Sequence, residues 1–257
     1  MQAYYDLDKF ALLARQDYNC GNTGKWFSSF RGGLYGSYAR IIGVTTHYYD
    51  VHSWIPRPRL PSETECHLAS LYFNIDSAVE CITYALNALG YCATAGSKFH
   101  DVTDARKLRQ IAPHNIIGRD NRLLPEYSQI FPDLSAYWVS KKDLLETLFE
   151  QHDVSKHRKS IYTGGLHRTD PPPGFYESLG IAEDDANLRA LYWPMKEILI
   201  RNDPKTPEVD RTSIPVSEQV LLEDLVVEYK EFIEESGKKI LSDAKSSIVL
   251  NHTQFKS

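Results

Sequence analysis

The stretch SETECHLASLYFNIDSAVECITYALNALG, residues 62–90, predicts the dominant helix of this chain. Ser62 and Glu65 have the S-x-x-E spacing of a capping box, which satisfies backbone N–H groups where a helix begins. Gly90 provides a residue suited to the left-handed conformation in which many helices end. The apolar residues between them recur at gaps of four and three, which places them on one stripe of the helix. They are Leu68, Tyr72, Ile75, Val79, Ile82, Leu86 and Leu89.

A second long helix is predicted from Glu218 to Ala244, behind the N-cap residue Ser217. Its apolar residues also recur at gaps of three and four. Acidic residues near its N-terminus and lysines near its C-terminus are favourable to the helix dipole. Shorter helices are expected at Leu7–Ala14, Asp104–Ile111, after Ser140 and at Asp185–Ile200. Together these elements predict an all-α protein, a bundle with two long antiparallel-type helices.

The segments between these helices are predicted to be irregular. Asn19–Pro61 is rich in glycine and aromatic residues, and Pro113–Val139 is broken by Pro125 and Pro132. The stretch RIIGVTTHYY (40–49) suggests a short β segment. CGNTGKW and RGGLYG lack the spacing of a phosphate-binding loop, so turns are expected there. We therefore expect an N-terminal elaboration, 1–61, packed on a helical bundle, 62–257, within one domain overall.

The composition sets limits on function. The chain has 257 residues, a formal charge of −5 and 42% apolar residues, so nucleic-acid contacts are expected to be local. No run of about 18 apolar residues and no secretory signal is evident, which predicts a cytoplasmic protein with no membrane span. The four cysteines are then expected to remain reduced, and their spacings fit no zinc motif.

The N-terminal segment contains residues for two further kinds of site. His47, His52 and Asp50 could in principle bind a metal, but the segment offers no third ligand at helical spacing, so no metal and no cofactor is predicted. The aromatic residues suggest a cap packed on the core, or a cavity for a small ligand near Trp26, Tyr35 and Trp54.

The stretch KHRKSIYTGGLHRTDPPPGFY, residues 156–176, concentrates positive charge in an acidic chain. Lysine, arginine and histidine are favourable at a helix C-terminus, where Gly-Gly would end the helix and the prolines would prevent its restart. That structural interpretation competes with a catalytic one.

The catalytic interpretation is metal-independent RNA cleavage, in which the ribose 2′-hydroxyl attacks the neighbouring phosphate. A histidine suits the proton transfer, and an arginine suits the charge that develops on the phosphate. His167 is the candidate general base or acid, and Arg158 the candidate phosphate ligand. Supporting charge would come from Lys156, His157, Lys159 and Arg168.

The order of the elements resembles the HEPN superfamily: a long helix containing LYFNIDSAVECITYALNALGY, a helix leading into an Arg-to-His stretch, proline turns and a long C-terminal helix. The resemblance implies a helical ribonuclease of toxin–antitoxin or phage-defence systems, often a homodimer that recognises RNA and pairs with an antitoxin or other protein. In that family four to six residues separate the arginine from the histidine. Eight separate Arg158 from His167, so a non-catalytic interaction or scaffold module is the alternative.

Overall fold

The structure is a computed structural model that describes residues 2–17, 25–52, 61–119, 122–157, 162–166, 174–178, 180–182, 184, 197–201 and 219–248. The chain divides into two compact units. Unit 1 consists of Met1–Ile41, Ile75–Glu146 and Tyr229–Ser257, and unit 2 consists of Ile42–Asn74 and Thr147–Glu228.

The fold is predominantly helical, which confirms the predicted all-α class. The helices are α1 Gln2–Asp17, α2 Lys25–His52, α3 Pro61–Ala93, α4 Ala105–Leu108, α5 His114–Ile117, α6 Pro125–Ile130, α7 Pro132–Ser140, α8 Lys142–His157, α9 Phe175–Ser178 and α10 Leu222–Ser247. None of the described helices is both long enough and apolar enough to cross a membrane.

The two helices with the clearest periodicity are confirmed, but their ends differ from the prediction. The helix α3 continues past the predicted stop at Gly90 to Ala93, and α10 begins at Leu222 because Gln219–Leu221 form a strand. All seven residues of the apolar stripe predicted for α3 are buried, each with at most 1% of its surface exposed. Along α10, burial recurs at Leu222, Val226, Tyr229, Phe232 and Ser236. Burial of each large apolar side chain contributes about 1.5–3 kcal/mol, so both stripes stabilise the packing of their helices.

The largest correction concerns the N-terminal segment. Residues 25–52 form the continuous helix α2 and not the predicted irregular connector, β segment and turns. Glycine is usually unfavourable inside a helix, but here it allows close packing against α3. In unit 1, a Cβ atom on Gly33 would approach Cys81 and Ala85, and one on Gly36 would approach Cys81.

Two prolines also have a different role from the one predicted. Pro125 and Pro132 are the first residues of α6 and α7 and do not interrupt a connector. A proline is well tolerated at this position because the missing N–H would have no partner within the helix. Pro113–Val139 therefore contains three short helices and not an irregular segment.

Unit 2 contains a three-stranded antiparallel sheet that the sequence did not predict. Its strands are β1 Tyr162–Leu166, β2 Glu197–Arg201 and β3 Gln219–Leu221, in the order β1-β2-β3. The helix predicted at Asp185–Ile200 is wrong for residues 197–200, which belong to β2. Their apolar-rich sequence, EILI, fits a short buried helix or a strand, and pairing with both neighbours decides for the strand. The rest of that prediction, residues 185–196, lies outside the described residues.

In unit 1, polar bonds fix α7 against α10 within the core. The Trp138 indole N–H donates to the Ser236 hydroxyl at 2.9 Å, and both residues are fully buried. The Asp243 carboxylate accepts hydrogen bonds from the backbone N–H groups of Asp133 and Leu134 at 3.2 and 2.9 Å. These two donors lie in the first turn of α7, where N–H groups lack partners within the helix.

Candidate functional site

The residues predicted to cleave RNA lie at the end of α8 and beyond it. Lys156 and His157 are the last two residues of that helix, although their side chains are not among those described. Arg158, Lys159, His167 and Arg168 lie outside the described residues. That the Arg158 guanidinium and the His167 imidazole act on the same phosphate therefore stays a prediction.

The Gly-Gly pair between those residues does not end a helix. Gly164 and Gly165 belong to β1, where they pair with Leu199 and Ile198 of β2. Because a strand rises about 3.3 Å per residue, β1 extends about 13 Å from its first to its last Cα atom. The predicted helix stop at Gly164-Gly165 is therefore wrong: α8 ends at His157, and a paired strand occupies most of the interval between Arg158 and His167.

A different cluster of titratable groups lies in unit 2, where α2 faces α3. The Nδ1 atoms of His47 and His67 are 3.2 Å apart. Asp50 Oδ2 lies 3.9 Å from the first of these nitrogens and 3.5 Å from the second. Among the described residues, these three form the one group of histidine, cysteine or acidic side chains whose donor atoms converge closely enough to hold a metal ion.

Helix geometry accounts for this convergence. His47 and Asp50 are three residues apart on α2, and residues at that spacing share one face of a helix. His67 projects from the neighbouring helix, α3, and its ring centroid lies 5.5 Å from that of His47. The packing of α2 on α3 is close here too, since a Cβ atom on Gly43 would meet the Asn74 side chain at 2.6 Å.

The cluster is partly open to solvent. The side chains of His47 and His67 are 27% and 25% exposed, and that of Asp50 is 39% exposed. Two imidazoles and one carboxylate are a typical ligand set for zinc and related transition ions. The same groups can also interact without a metal, because a proton on one Nδ1 can be donated to the other nitrogen.

Two of the three residues of this cluster, His47 and Asp50, are among the sequence-predicted candidates, but the third, His67, is not. His47 and Asp50 were weighed as ligands, but with His52, whose side chain is not described. Because residues 40–49 were predicted as a β segment, their shared helical face was overlooked. His67 comes from a second helix, and no spacing within one segment reveals such a partner.

The aromatic N-terminal segment also contributes a pocket, in unit 1. Of the three residues predicted to surround a cavity, Tyr35 lines it, Trp26 is buried and does not, and Trp54 lies outside the described residues. The carboxylate of Asp8, which also lines the pocket, is paired with Arg31 at 2.6 Å. The pocket has a volume of about 480 Å³ and is lined by Gln2, Tyr4, Tyr5, Asp8, Leu34, Tyr35 and Tyr38.

The described cysteines offer little reactive chemistry. Within the described part of the chain, Cys66, Cys81 and Cys92 form no disulfide bond. Burial raises the pKa of the Cys81 thiol above its ordinary value, which keeps it protonated. Cys81 is thus a small, half-buried side chain in the α2–α3 contact of unit 1.

Comparison of the chain with family models, with curated proteins and with solved structures found no match. Function must therefore be inferred from the residues themselves.

Proposed function

We propose that the chain is a HEPN-type endoribonuclease that cleaves RNA without a metal, next to the C-terminal end of α8. The observation that supports this most is the run Lys156-His157-Arg158-Lys159, which begins in the last turn of that helix. In a chain of net charge −5, such a run is a local focus for a phosphate backbone. The predominantly helical fold agrees with the expected framework.

In the proposed reaction, His167 removes the proton from a ribose 2′-hydroxyl. The 2′-oxygen bonds to phosphorus, and the bond to the 5′-oxygen breaks. The 5′-oxygen takes up a proton from solvent water, and His167 returns its proton to solvent. Arg158 binds the phosphate, where its planar, permanently charged fork offsets the charge that grows in the transition state. The products are a 2′,3′-cyclic phosphate and a free 5′-hydroxyl.

The strand between the two residues favours a site shared by two subunits. Strand β1 lies between Arg158 and His167 in the sequence, and its first and last Cα atoms are about 13 Å apart. This strand therefore separates the backbone that follows Arg158 from the backbone that precedes His167. The resemblance to HEPN proteins implies a homodimer, and two copies would supply the arginine and the histidine from different chains.

The test is incubation of the purified chain with total RNA in the presence of EDTA, followed by analysis of the new RNA ends. We expect cyclic-phosphate ends, and we expect Arg158→Ala and His167→Ala to lose them while circular dichroism shows unchanged helicity. Lys107→Ala, which removes an exposed charge on α4, is the matched control and is expected to cleave normally. Full cleavage by His167→Ala would reject the proposed role of that residue.

The alternative is a non-catalytic interaction module of the same fold. It is favoured by the large apolar side chains exposed on α1 and α2 in unit 1, among them Tyr5, Leu12, Tyr35 and Tyr38. An interaction module would leave RNA intact and would lose its partner when Tyr5 and Tyr35 are replaced together by serine. An endoribonuclease would keep its cleavage activity in that variant.

A further inference from the structure

The geometry points to a divalent transition-metal site at His47, Asp50 and His67 in unit 2. The ligands are the Nδ1 atoms of the two histidines and Oδ2 of the aspartate, and a water molecule completes the coordination. The ion belongs to the chemical class of Zn²⁺. This site lies on α2 and α3 and does not depend on the proposed function at the end of α8.

The spacing of the three donor atoms fits such an ion. The three separations of 3.2, 3.5 and 3.9 Å define a circle with a radius of about 2.1 Å through the donor atoms. That radius equals the usual zinc–nitrogen bond length, so an ion close to the plane of the donors reaches all three at once. Ligand bonds of that length at tetrahedral angles separate donor atoms by about 3.3–3.6 Å. Of the observed separations, 3.5 Å lies within this range and 3.2 and 3.9 Å lie on either side of it, and small side-chain rotations would bring all three within it.

The chemistry of the donors selects the class of ion. Imidazole nitrogen suits zinc, copper, iron and nickel, whereas magnesium and calcium prefer oxygen ligands throughout. Without a metal, the two Nδ1 atoms at 3.2 Å are close enough to share one proton in a hydrogen bond. An entering ion takes the place of that proton, because a histidine ligand must present a free lone pair.

The position of the site predicts two consequences of metal binding. The ion joins α2 to α3 within unit 2, so binding to the folded chain alone stabilises it. The cluster is also partly exposed, which leaves room for water or another small ligand in the remaining coordination position. Three protein ligands with one open position is the arrangement of reactive zinc centres, whereas purely structural centres are closed.

The test is zinc titration of the full chain after removal of bound metal with EDTA and dialysis. We expect one zinc ion per chain by calorimetry, with an affinity that falls at least about tenfold in His47→Gln, His67→Gln and Asp50→Asn. Zinc is expected to raise the melting temperature of the unmodified chain but not that of His67→Gln. Circular dichroism shows whether each variant is folded.

Two matched variants distinguish this site from other zinc ligands. His114→Gln removes a histidine of α5 in unit 1, and Cys66→Ser removes the exposed thiol next to His67. Both are expected to bind zinc as the unmodified chain does. The proposal is overturned if the unmodified chain binds no zinc, if His67→Gln binds as tightly as His114→Gln, or if Cys66→Ser abolishes binding. Cleavage of RNA in EDTA is measured separately, so this proposal and the proposed function can fail independently.

Discussion

Gly33 and Cys81 lie so close together that a Cβ atom on the glycine would be only 2.6 Å from the Cys81 backbone oxygen. The same atom would be 2.8 Å from the Cβ atom of Ala85. Real Cβ atoms do not approach backbone this closely, so the contact of α2 with α3 in unit 1 requires glycine. The neighbouring residue, Gly32, is exposed and would meet nothing within 4 Å.

This pair of glycines predicts opposite effects of the same substitution. Gly33→Ala should lower the free energy of unfolding by about 1–3 kcal/mol, because the helices must move apart. Gly32→Ala should raise it by about 0.5–1 kcal/mol, because alanine is the better helix former. Urea unfolding of the two variants measures both values, and a shift of the same sign in both would contradict the described packing.

The hydrogen bond from Trp138 to Ser236 predicts a cost for removing one hydroxyl. In Ser236→Ala the fully buried indole N–H loses its acceptor, which should lower the free energy of unfolding by about 1–3 kcal/mol. Ser246→Ala on the same helix is the control, since its exposed hydroxyl donates to the Ser242 carbonyl one turn earlier. That change should stay within about 0.5 kcal/mol. Equal losses in the two variants would show that the indole has another acceptor.

Asp243 predicts a specific dependence of stability on pH. Burial raises the pKa of this carboxyl above its ordinary value of 3.8, although the two backbone donors of α7 act in the opposite direction. The folded state therefore holds the proton more tightly than the unfolded state. The stability that this group contributes is complete below the unfolded pKa, and it is lost as the pH rises through the folded pKa.

The comparison that isolates this effect is between the unmodified chain and Asp243→Asn. The free energy of unfolding of the unmodified chain, minus that of the variant, should decrease as the pH rises from 3.8 through the folded pKa and then become constant. Urea unfolding at a series of pH values measures this difference. A difference that grows with pH would show that the backbone donors outweigh burial and that the pKa is lowered.

Mixing two inactive variants tests whether the proposed RNA-cleaving pair is shared between subunits. If Arg158 of one chain acts with His167 of another, a mixture of Arg158→Ala and His167→Ala chains contains hybrid dimers with one intact site. Cleavage should then reappear after the variants are refolded together, although each is inactive alone. A mixture that stays inactive, in a protein shown to exchange subunits, would place both residues in the same chain.

The sequence predicted those elements whose apolar residues recur regularly. The gaps of three and four in α3 were sufficient because a long amphipathic helix needs no information from elsewhere in the chain. The helix α2 was missed because its glycines and aromatics argue against a helix when they are considered locally. Their role becomes visible only when Cys81 and Ala85, about 50 residues later, are in contact with them.

The candidate sites show the same limit. His47 and Asp50 were recognised as possible ligands, but His67 is supplied by another helix, and only tertiary structure brings it near. The Gly-Gly pair of residues 164 and 165 resembled a helix stop, because its partner strand is more than 30 residues away in the sequence. The local sequence was thus sufficient to predict the periodic helices and to locate the basic stretch. It was not sufficient to predict which side chains from different elements are in contact.

X-ray absorption at the zinc edge tests the proposed metal site most directly. In the zinc-loaded chain we predict a first shell of nitrogen and oxygen at about 2.0–2.1 Å, with the multiple-scattering signal of two imidazoles and no sulfur. The imidazole signal should weaken to one ring in His67→Gln. A sulfur shell at about 2.3 Å, or a spectrum that His67→Gln leaves unchanged, would show that zinc binds elsewhere and would contradict the site formed by His47, Asp50 and His67.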